Sequence, residues 1–405
     1  MAAKKREPGF ATLCIHGKKH LDKHEGEKPI RAVSTPIFQS STFAFESAEH
    51  GAAVFRGEDS SYVYTRLGNP TQAALETEMA YLENGEAALA LASGMAAATT
   101  AVLTCCQAGD HIVAGDTLYG GTHQLFTQTL PRLGITVTEV PAYDPANFAK
   151  AITKKTKLVY LETPANPTLV LTDIGAVAEI ARAKGIPVLV DNTFCTPYLQ
   201  NPLDLGANIV LHSATKYIGG HGDTVAGILV GSADWMMQAR METLRDVGGC
   251  ISPFNAWLLL RGLKTLPVRM DRHMANAMEV AQFLSYHPKV DKVIYPGLKT
   301  HPQHDLAARQ QRGFGGMISF MVSGNKISGR EAGRIVMDTV EHCTLAVSLG
   351  DVDTLIEHPA TMTHSTYNEE ELLKVGIDPA MVRLSVGLEN VEDIIADLRQ
   401  ALAKI

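Results

Sequence analysis

The sequence predicts an α/β protein built on a doubly covered, mostly parallel sheet. Two observations predict it. Between about residues 70 and 265, helix-like stretches alternate with short apolar runs. The runs are near-continuously apolar rather than alternating, which marks strands buried on both faces.

Taken in chain order, TQAALETEMAYLENG opens the series as a helix rich in alanine, leucine and glutamate. HIVAG at 111–115, TVTEV at 136–140 and KLVYLE at 157–162 follow as strands. Then come the helix IGAVAEIARAKG and the strands PVLVD at 187–191, NIVLH at 208–212 and AGILVG at 226–231. Ligands in open α/β sheets bind beyond the carboxyl ends of strands. Those ends deliver Glu162, Asp191 and then Ser213 to Lys216.

The flanks differ. The first sixty residues are polar, with STPIFQSSTF as a candidate extended arm, and lack the periodicity of an independent core. After about 265, helical runs (MANAMEVAQFLSYH, GREAGRIVMDTVEH, VEDIIADLRQALAKI) surround the strand candidates GMISFMVSG and MVRLSVGLE. With 405 residues exceeding one typical core, the expected division is an arm over 1–62, a large α/β domain over 63–265 and a smaller C-terminal α+β domain over 266–405.

Composition narrows the function classes. The chain is 45% hydrophobic and 20% charged with net charge −7, and it has no dense basic block, so nucleic acid and anionic membrane are not expected partners. No apolar run approaches the ~18 residues of a membrane span, and no apolar stretch follows MAAKKREPGF. Cys14, Cys105, Cys106, Cys195, Cys250 and Cys343 are scattered without CxxC spacing. Neither a metal site nor a disulfide scaffold is expected, and the expected location is the cytoplasm.

Four stretches carry candidate chemistry. ASGMAAATT (92–100) puts Ser93, Gly94 and Met95 at the start of an alanine-rich helix, where free N–H groups and the positive dipole end suit a phosphate. A serine N-cap on a structural helix is the competing reading. DTLYGGTH (116–123) sets Tyr119 before paired glycines, where a turn tyrosine is the plainer reading. PVLVDNTF (187–194) ends a strand in Asp191, a common turn or cap residue. HSATKYIGGHGD (212–223) brings Lys216, after Ser213 and Thr215, to a strand end among small side chains. A lysine there ordinarily leaves its ammonium in water.

Together the four fit one chemistry. A phosphate-bearing aromatic aldehyde needs an anion cradle, a flat surface against its ring, a carboxylate beside its ring nitrogen and an amine to condense with. Ser93, Gly94, Met95, Ser213 and Thr215 suit the cradle, Tyr119 the ring face, Asp191 the ring nitrogen and Lys216 the aldehyde. The expected cofactor is pyridoxal 5′-phosphate (PLP), and it explains the small residues around Lys216.

The stretches YVYTRLGNPT, ASGMAA, DTLYGGT, ETPANPT, VDNTF, HSATKYIGGHGD, RGLKTLPVRM, YPGL and RLSVGLE resemble the Cys/Met-metabolism family of PLP enzymes, over essentially the whole chain. Asn208, where that family usually carries an acidic residue or glutamine, is a small departure. The resemblance implies PLP fold type I (aspartate aminotransferase-like), with a mostly parallel seven-stranded sheet in the large domain. It also implies a homotetramer, a dimer of dimers with shared active sites.

By the same resemblance, Tyr64 and Arg66 of YTRLGNP reach the phosphate bound by a neighbouring subunit, and Tyr64 also lies near substrate. That would seat the N-terminal arm on a partner. Asn166 is implied near the cofactor ring, and Thr193 joins the cofactor contacts. Ser348 is implied near the substrate carboxylate, which Arg383 grips in a bidentate pair that lysine cannot reproduce. Lys216 and Tyr119 are the implied catalytic residues.

The family holds γ-lyases, a γ-synthase, β-lyases and sulfhydrylases. LAVSLGDVDTLIEHPATMTHS (345–365) resembles its methionine-cleaving γ-lyases. Val347 stands where cystathionine enzymes usually carry glutamate and suits a short apolar thioether tail, although simple packing also explains a valine. RDVGG (245–249) points the same way. Gly121 points the other way: many methionine-cleaving members have cysteine there, and glycine leaves extra room near the thioether.

The expectation is α,γ-elimination from methionine or homocysteine, giving 2-oxobutanoate, ammonia and methanethiol or hydrogen sulfide. Cystathionine γ-lyase and O-acetylhomoserine sulfhydrylase activities are the alternatives. A non-catalytic PLP-binding protein is the alternative of another class, opposed by the intact Lys216, Asp191, Tyr119 and Arg383.

Overall fold

Seven strands form the main sheet: β1 (Ala87–Leu91), β2 (His111–Gly115), β3 (Thr136–Val140), β4 (Thr156–Glu162), β5 (Val188–Asp191), β6 (Ile209–Ser213) and β7 (Gly227–Gly231). Their order is β1-β7-β6-β5-β4-β2-β3. Only β7 runs against the rest, pairing antiparallel with both β1 and β6. The structure, a computed structural model, describes residues 9–16, 32–324, 327–362, 369–374 and 376–405. Residues 1–8 and 17–31 of the expected arm, and the end of the 345–365 stretch from 363 onward, lie outside the described residues.

β1 gives no strand signal in the sequence, because AALAL reads as more of the preceding alanine-rich helix. Its five residues nevertheless pair in register with β7, and Ala88 to Leu91 are buried. Tertiary pairing overrides propensity here.

Strand alternation assigns the faces. Leu158 and Tyr160 of β4, Leu189 of β5 and Ile209 and Leu211 of β6 pack with Ala97, Ala101 and Val102 of the helix Gly94–Cys105. Val159 and Leu161 of β4 and Val190 of β5 turn the other way, onto Ile174 and Val177 of the helix Ile174–Arg182. By period two, Glu162, Asp191 and Ser213 emerge on the face covered by the helix Gly94–Cys105, all at carboxyl strand ends. Asn208 has a local role at the opposite end. Its side chain accepts from the Val188 N–H at 2.9 Å, and its own N–H donates to the Val188 carbonyl.

A second sheet, in the order β10-β11-β12-β9-β8, comprises β8 (Val290–Ile294), β9 (Met317–Val322), β10 (Thr344–Leu345), β11 (Leu355–Glu357) and β12 (Met381–Ser385). β9 and β12 are the two strands expected from sequence. This sheet has its own core, in which Ile318, Phe320 and Leu384 meet Val336 and Leu398 from the helices Gly329–Thr339 and Val391–Leu402. Between residues 32 and 66, by contrast, Gly51 alone is buried. No helix among the described residues is long and apolar enough to cross a membrane.

Candidate active site

Ser93 caps the helix Gly94–Cys105, its hydroxyl accepting from the Ala96 N–H at 3.0 Å. Gly94 and Met95 carry the first N–H groups of that helix, which no intrahelical carbonyl can reach. A Cβ on Gly94 would lie 2.9 Å from the Ser213 Cβ, so the helix start and the end of β6 meet at a distance only glycine permits. The result is a backbone-walled anion cradle.

Asp191 sits beside that cradle. The Thr193 hydroxyl and N–H both donate to its Oδ1, at 2.5 and 3.0 Å, and the Ser213 N–H donates to the same hydroxyl at 2.8 Å. Burial pushes the Asp191 carboxyl up, while the Thr193 hydrogen bonds and the field of His212 pull it back. In register next to it on β4 is Glu162, pushed up by burial and by Asp191 itself.

Lys216 follows the end of β6. Thr215 anchors this turn, its hydroxyl donating to the Ala226 carbonyl and accepting from the Ala226 N–H. The Lys216 Nζ donates to the Ser348 hydroxyl at 2.7 Å. Its pKa falls from 10.5 to about 8, because burial and then the charge of Arg383 disfavour the ammonium, against smaller opposing effects of Asp351 and Glu357.

Ser348 adopts φ 93°, a left-handed backbone that costs a non-glycine residue about 1–3 kcal/mol. It is held there from two sides: Lys216 meets its hydroxyl, and Arg383 Nη2 donates to its carbonyl at 2.6 Å.

Arg383, on β12, is 5% exposed. Its Nη1 donates to Asn166 Oδ1 at 2.9 Å and lies 3.0 Å from Glu357 Oε1, its in-register neighbour on β11. Nη1 is thereby filled and Nη2 is half used, while Nε has no partner among the described residues. One Nη2 hydrogen and the Nε hydrogen remain, which is the side-on fork that takes both oxygens of a carboxylate.

Tyr119, 51% exposed, precedes the short helix Gly120–Gln124, with its N–H donating to Glu162 Oε2 at 2.7 Å. The room expected beside Gly121 is already taken. A Cβ there would lie 2.6 Å from Tyr119 Cε1 and 3.2 Å from Met95 Sδ.

Ser93, Gly94, Met95, Tyr119, Gly121, Asn166, Asp191, Thr193, Ser213, Lys216, Ser348 and Arg383 are thus linked through direct contacts or shared strand ends. Tyr64 and Arg66 make their contacts elsewhere: the Arg66 guanidinium lies 5.5 Å over the Tyr64 ring and donates to the Arg245 carbonyl. Val347 is 55% exposed beside Ser348.

Two carboxylates at this site were not given a role from sequence. Glu162 was visible as a strand end. Glu357 was not, because its meaning depends on the pairing of β11 with β12, which no local signal discloses.

The residues fit PLP. Among the described residues Asp191 receives side-chain hydrogen bonds from Thr193 alone, so a cationic ring nitrogen suits this half-buried carboxylate. The cradle suits a phosphate, and Lys216 is poised to lose its proton. Fold and site together define the class: a PLP enzyme of fold type I.

The chain belongs to the Cys/Met metabolism PLP-dependent enzyme family, whose model matches residues 11–403. It is 51% identical to an L-methionine gamma-lyase of Treponema denticola, covering 98% of this chain and 97% of that one. It is 44% identical to a cystathionine gamma-lyase of Bacillus subtilis, covering 97% and 99%. Among solved structures, metB from Corynebacterium glutamicum superposes with TM-score 0.89 at 42% identity, over 98% of each chain.

Proposed function

We propose that the protein is a methionine γ-lyase, eliminating the γ-thiol of methionine or homocysteine. The observation that carries this reading is the chain of contacts from Lys216 through Ser348 to Arg383, in a chain that is half identical to a methionine gamma-lyase along its length. The overall change is methionine plus water to 2-oxobutanoate, ammonia and methanethiol.

When bound, PLP supplies an electron sink for charge developing on the substrate carbon atoms. The protein's residues do the rest. The unused fork of Arg383 takes the substrate carboxylate, held in place by Asn166, Ser348 and Glu357. Lys216, neutral over much of the range above pH 8, removes the α-proton. Tyr119 would lie against the cofactor ring and supplies the proton to the departing thiolate. Asp191 would hold the ring nitrogen, and Ser93, Gly94, Met95, Ser213 and Thr215 would hold the phosphate.

Several features support an oligomer with shared sites, which we read as a homotetramer acting in the cytoplasm. The 32–66 segment has no core of its own, Arg66 contacts the Tyr64 ring and the Arg245 carbonyl, and all six cysteines are free. We read the chain as a 1–62 arm, a 63–265 domain and a 266–405 domain, a division supported by the two sheets, with one core cluster joining Cys14, Leu75 and Met317 across its boundaries.

Cystathionine γ-lyase activity is the second reading, supported by the 44% identity to the Bacillus subtilis cystathionine gamma-lyase. A product assay with methionine, homocysteine, cystathionine, and O-acetylhomoserine plus sulfide decides: 2-oxobutanoate should form fastest from methionine or homocysteine. No turnover of either sulfur amino acid would overturn the proposal.

A further inference from the structure

We infer that Glu162 is a positioning residue that sets the Tyr119 ring and the Arg383 guanidinium relative to one another. Its Oε2 accepts from the Tyr119 N–H at 2.7 Å and its Oε1 from the Asn166 N–H at 3.0 Å. The Asn166 side chain then accepts from Arg383 Nη1 at 2.9 Å. One carboxylate therefore joins the segment that covers the cofactor ring to the segment that holds the substrate clamp. The inference rests on the roles proposed above for Tyr119 and Arg383.

The geometry makes this bridge stiff. Glu162 is the last residue of β4, in register with Asp191 on β5, and is 6% exposed. Its backbone is fixed by the sheet, and its hydrogen bonds are sheltered from water. Tyr119 and Asn166 belong to loops that leave different strands, β2 and β4. A side chain accepting backbone N–H groups from both fixes main chain, which then dictates where the two functional side chains start.

The ordinary alternative is a carboxylate that merely caps two loops and stabilises the fold. The two readings separate in which property moves. Glu162→Gln keeps the volume but offers one acceptor oxygen, so its NH₂ must face one of the two N–H donors and one bridge breaks. Glu162→Asp keeps both acceptors and withdraws them by one methylene.

The experiment uses holoenzyme and L-norleucine, an α-amino acid of the size of methionine with no thiol to lose. Binding is titrated by the visible absorbance of the cofactor, ring setting is read from its visible circular dichroism, and melting temperature is recorded alongside. The expected result is that Glu162→Gln still binds PLP stoichiometrically, binds norleucine about 10-fold more weakly and shows an altered dichroic band. Glu162→Asp should fall between it and wild type, and replaces it if Glu162→Gln does not fold. Val336→Ala, in the core of the second sheet, serves as a control for lost stability and should leave both signals unchanged.

Wild-type affinity and dichroism in Glu162→Gln, or equal changes in the Val336→Ala control, overturn the inference while the proposed function stands. Wild-type protein that binds no norleucine overturns the reading of the clamp, and this inference with it.

Discussion

Lys216 Nζ and the Ser348 hydroxyl are 2.7 Å apart, and Ser348 reaches that position with φ 93°. The carbonyl of the same serine holds Arg383. A strained residue thus stands between the amine and the guanidinium, and the charge of Arg383 adds to burial in disfavouring the Lys216 ammonium.

The first consequence is a pH dependence. Only neutral lysine condenses with an aldehyde, so PLP uptake by the apoprotein should accelerate with a midpoint near pH 8, well below the ordinary lysine value of 10.5. The stability sign follows from the lowered folded pKa. Between pH 8 and 10.5 the unfolded chain holds a proton that folded Lys216 has lost, so this residue's contribution rises with pH in that window. Stopped-flow absorbance measures the first effect. Thermal melts of the apoprotein against Lys216→Ala measure the second, and wild type should gain stability relative to the variant as pH rises from 8 to 10.5.

Removing the partner of Arg383 should be costly. Glu357 and Arg383 are both buried and 3.0 Å apart. Breaking a buried pair from one side costs roughly 3–5 kcal/mol, because the remaining charge stays desolvated. Glu357→Gln should therefore lower the melting temperature by several degrees. Because Glu357 also favours the Lys216 ammonium, its loss should move the midpoint of PLP uptake further down in pH. An unchanged midpoint would show that the two residues are electrostatically uncoupled.

The contrast between β5 and β11 explains what was legible beforehand. VLVD of β5 announces a buried strand and its terminal carboxylate, and motifs at such strand ends led directly to Asp191, Ser213 and Lys216. LIE of β11 is three residues long and acquires its meaning from β12, 26 positions later in the Glu357 to Arg383 pair. Contacts that close across distant sequence are set by packing, which local pattern does not encode. The same limit applies to Gly121, where the chain announces a missing side chain but not that the Tyr119 ring fills the space.

A shared site predicts complementation. Arg66 and Tyr64 lie on a stretch whose buried residues between 32 and 66 reduce to Gly51, a surface that a second copy of the chain would cover. Arg66→Ala and Lys216→Ala should each be inactive or nearly so. Mixed under conditions that exchange subunits, they should regain measurable activity, since one hybrid site contains both native residues. Exchange confirmed by mass spectrometry without recovered activity would place both residues in sites made by single chains.

Substrate choice gives the last prediction. Val347 neighbours Ser348 and presents no charge to the distal ammonium of cystathionine, whereas a thioether or thiol can pack against it. The kcat/KM for methionine or homocysteine should therefore exceed that for cystathionine. Val347→Glu should shift the ratio toward cystathionine, and the magnitude depends on exposure. At 55% exposed in the single chain, a new ion pair is worth roughly 0–1 kcal/mol, enough to change the ratio about fivefold and narrow the preference. Inversion of the preference would require a desolvated pair, and hence a neighbouring subunit lying over Val347. A rise in cystathionine turnover with methionine turnover unaffected would assign the effect to the new charge. Loss of both would mean that the substitution disturbs Ser348, and with it the positions of Lys216 and Arg383.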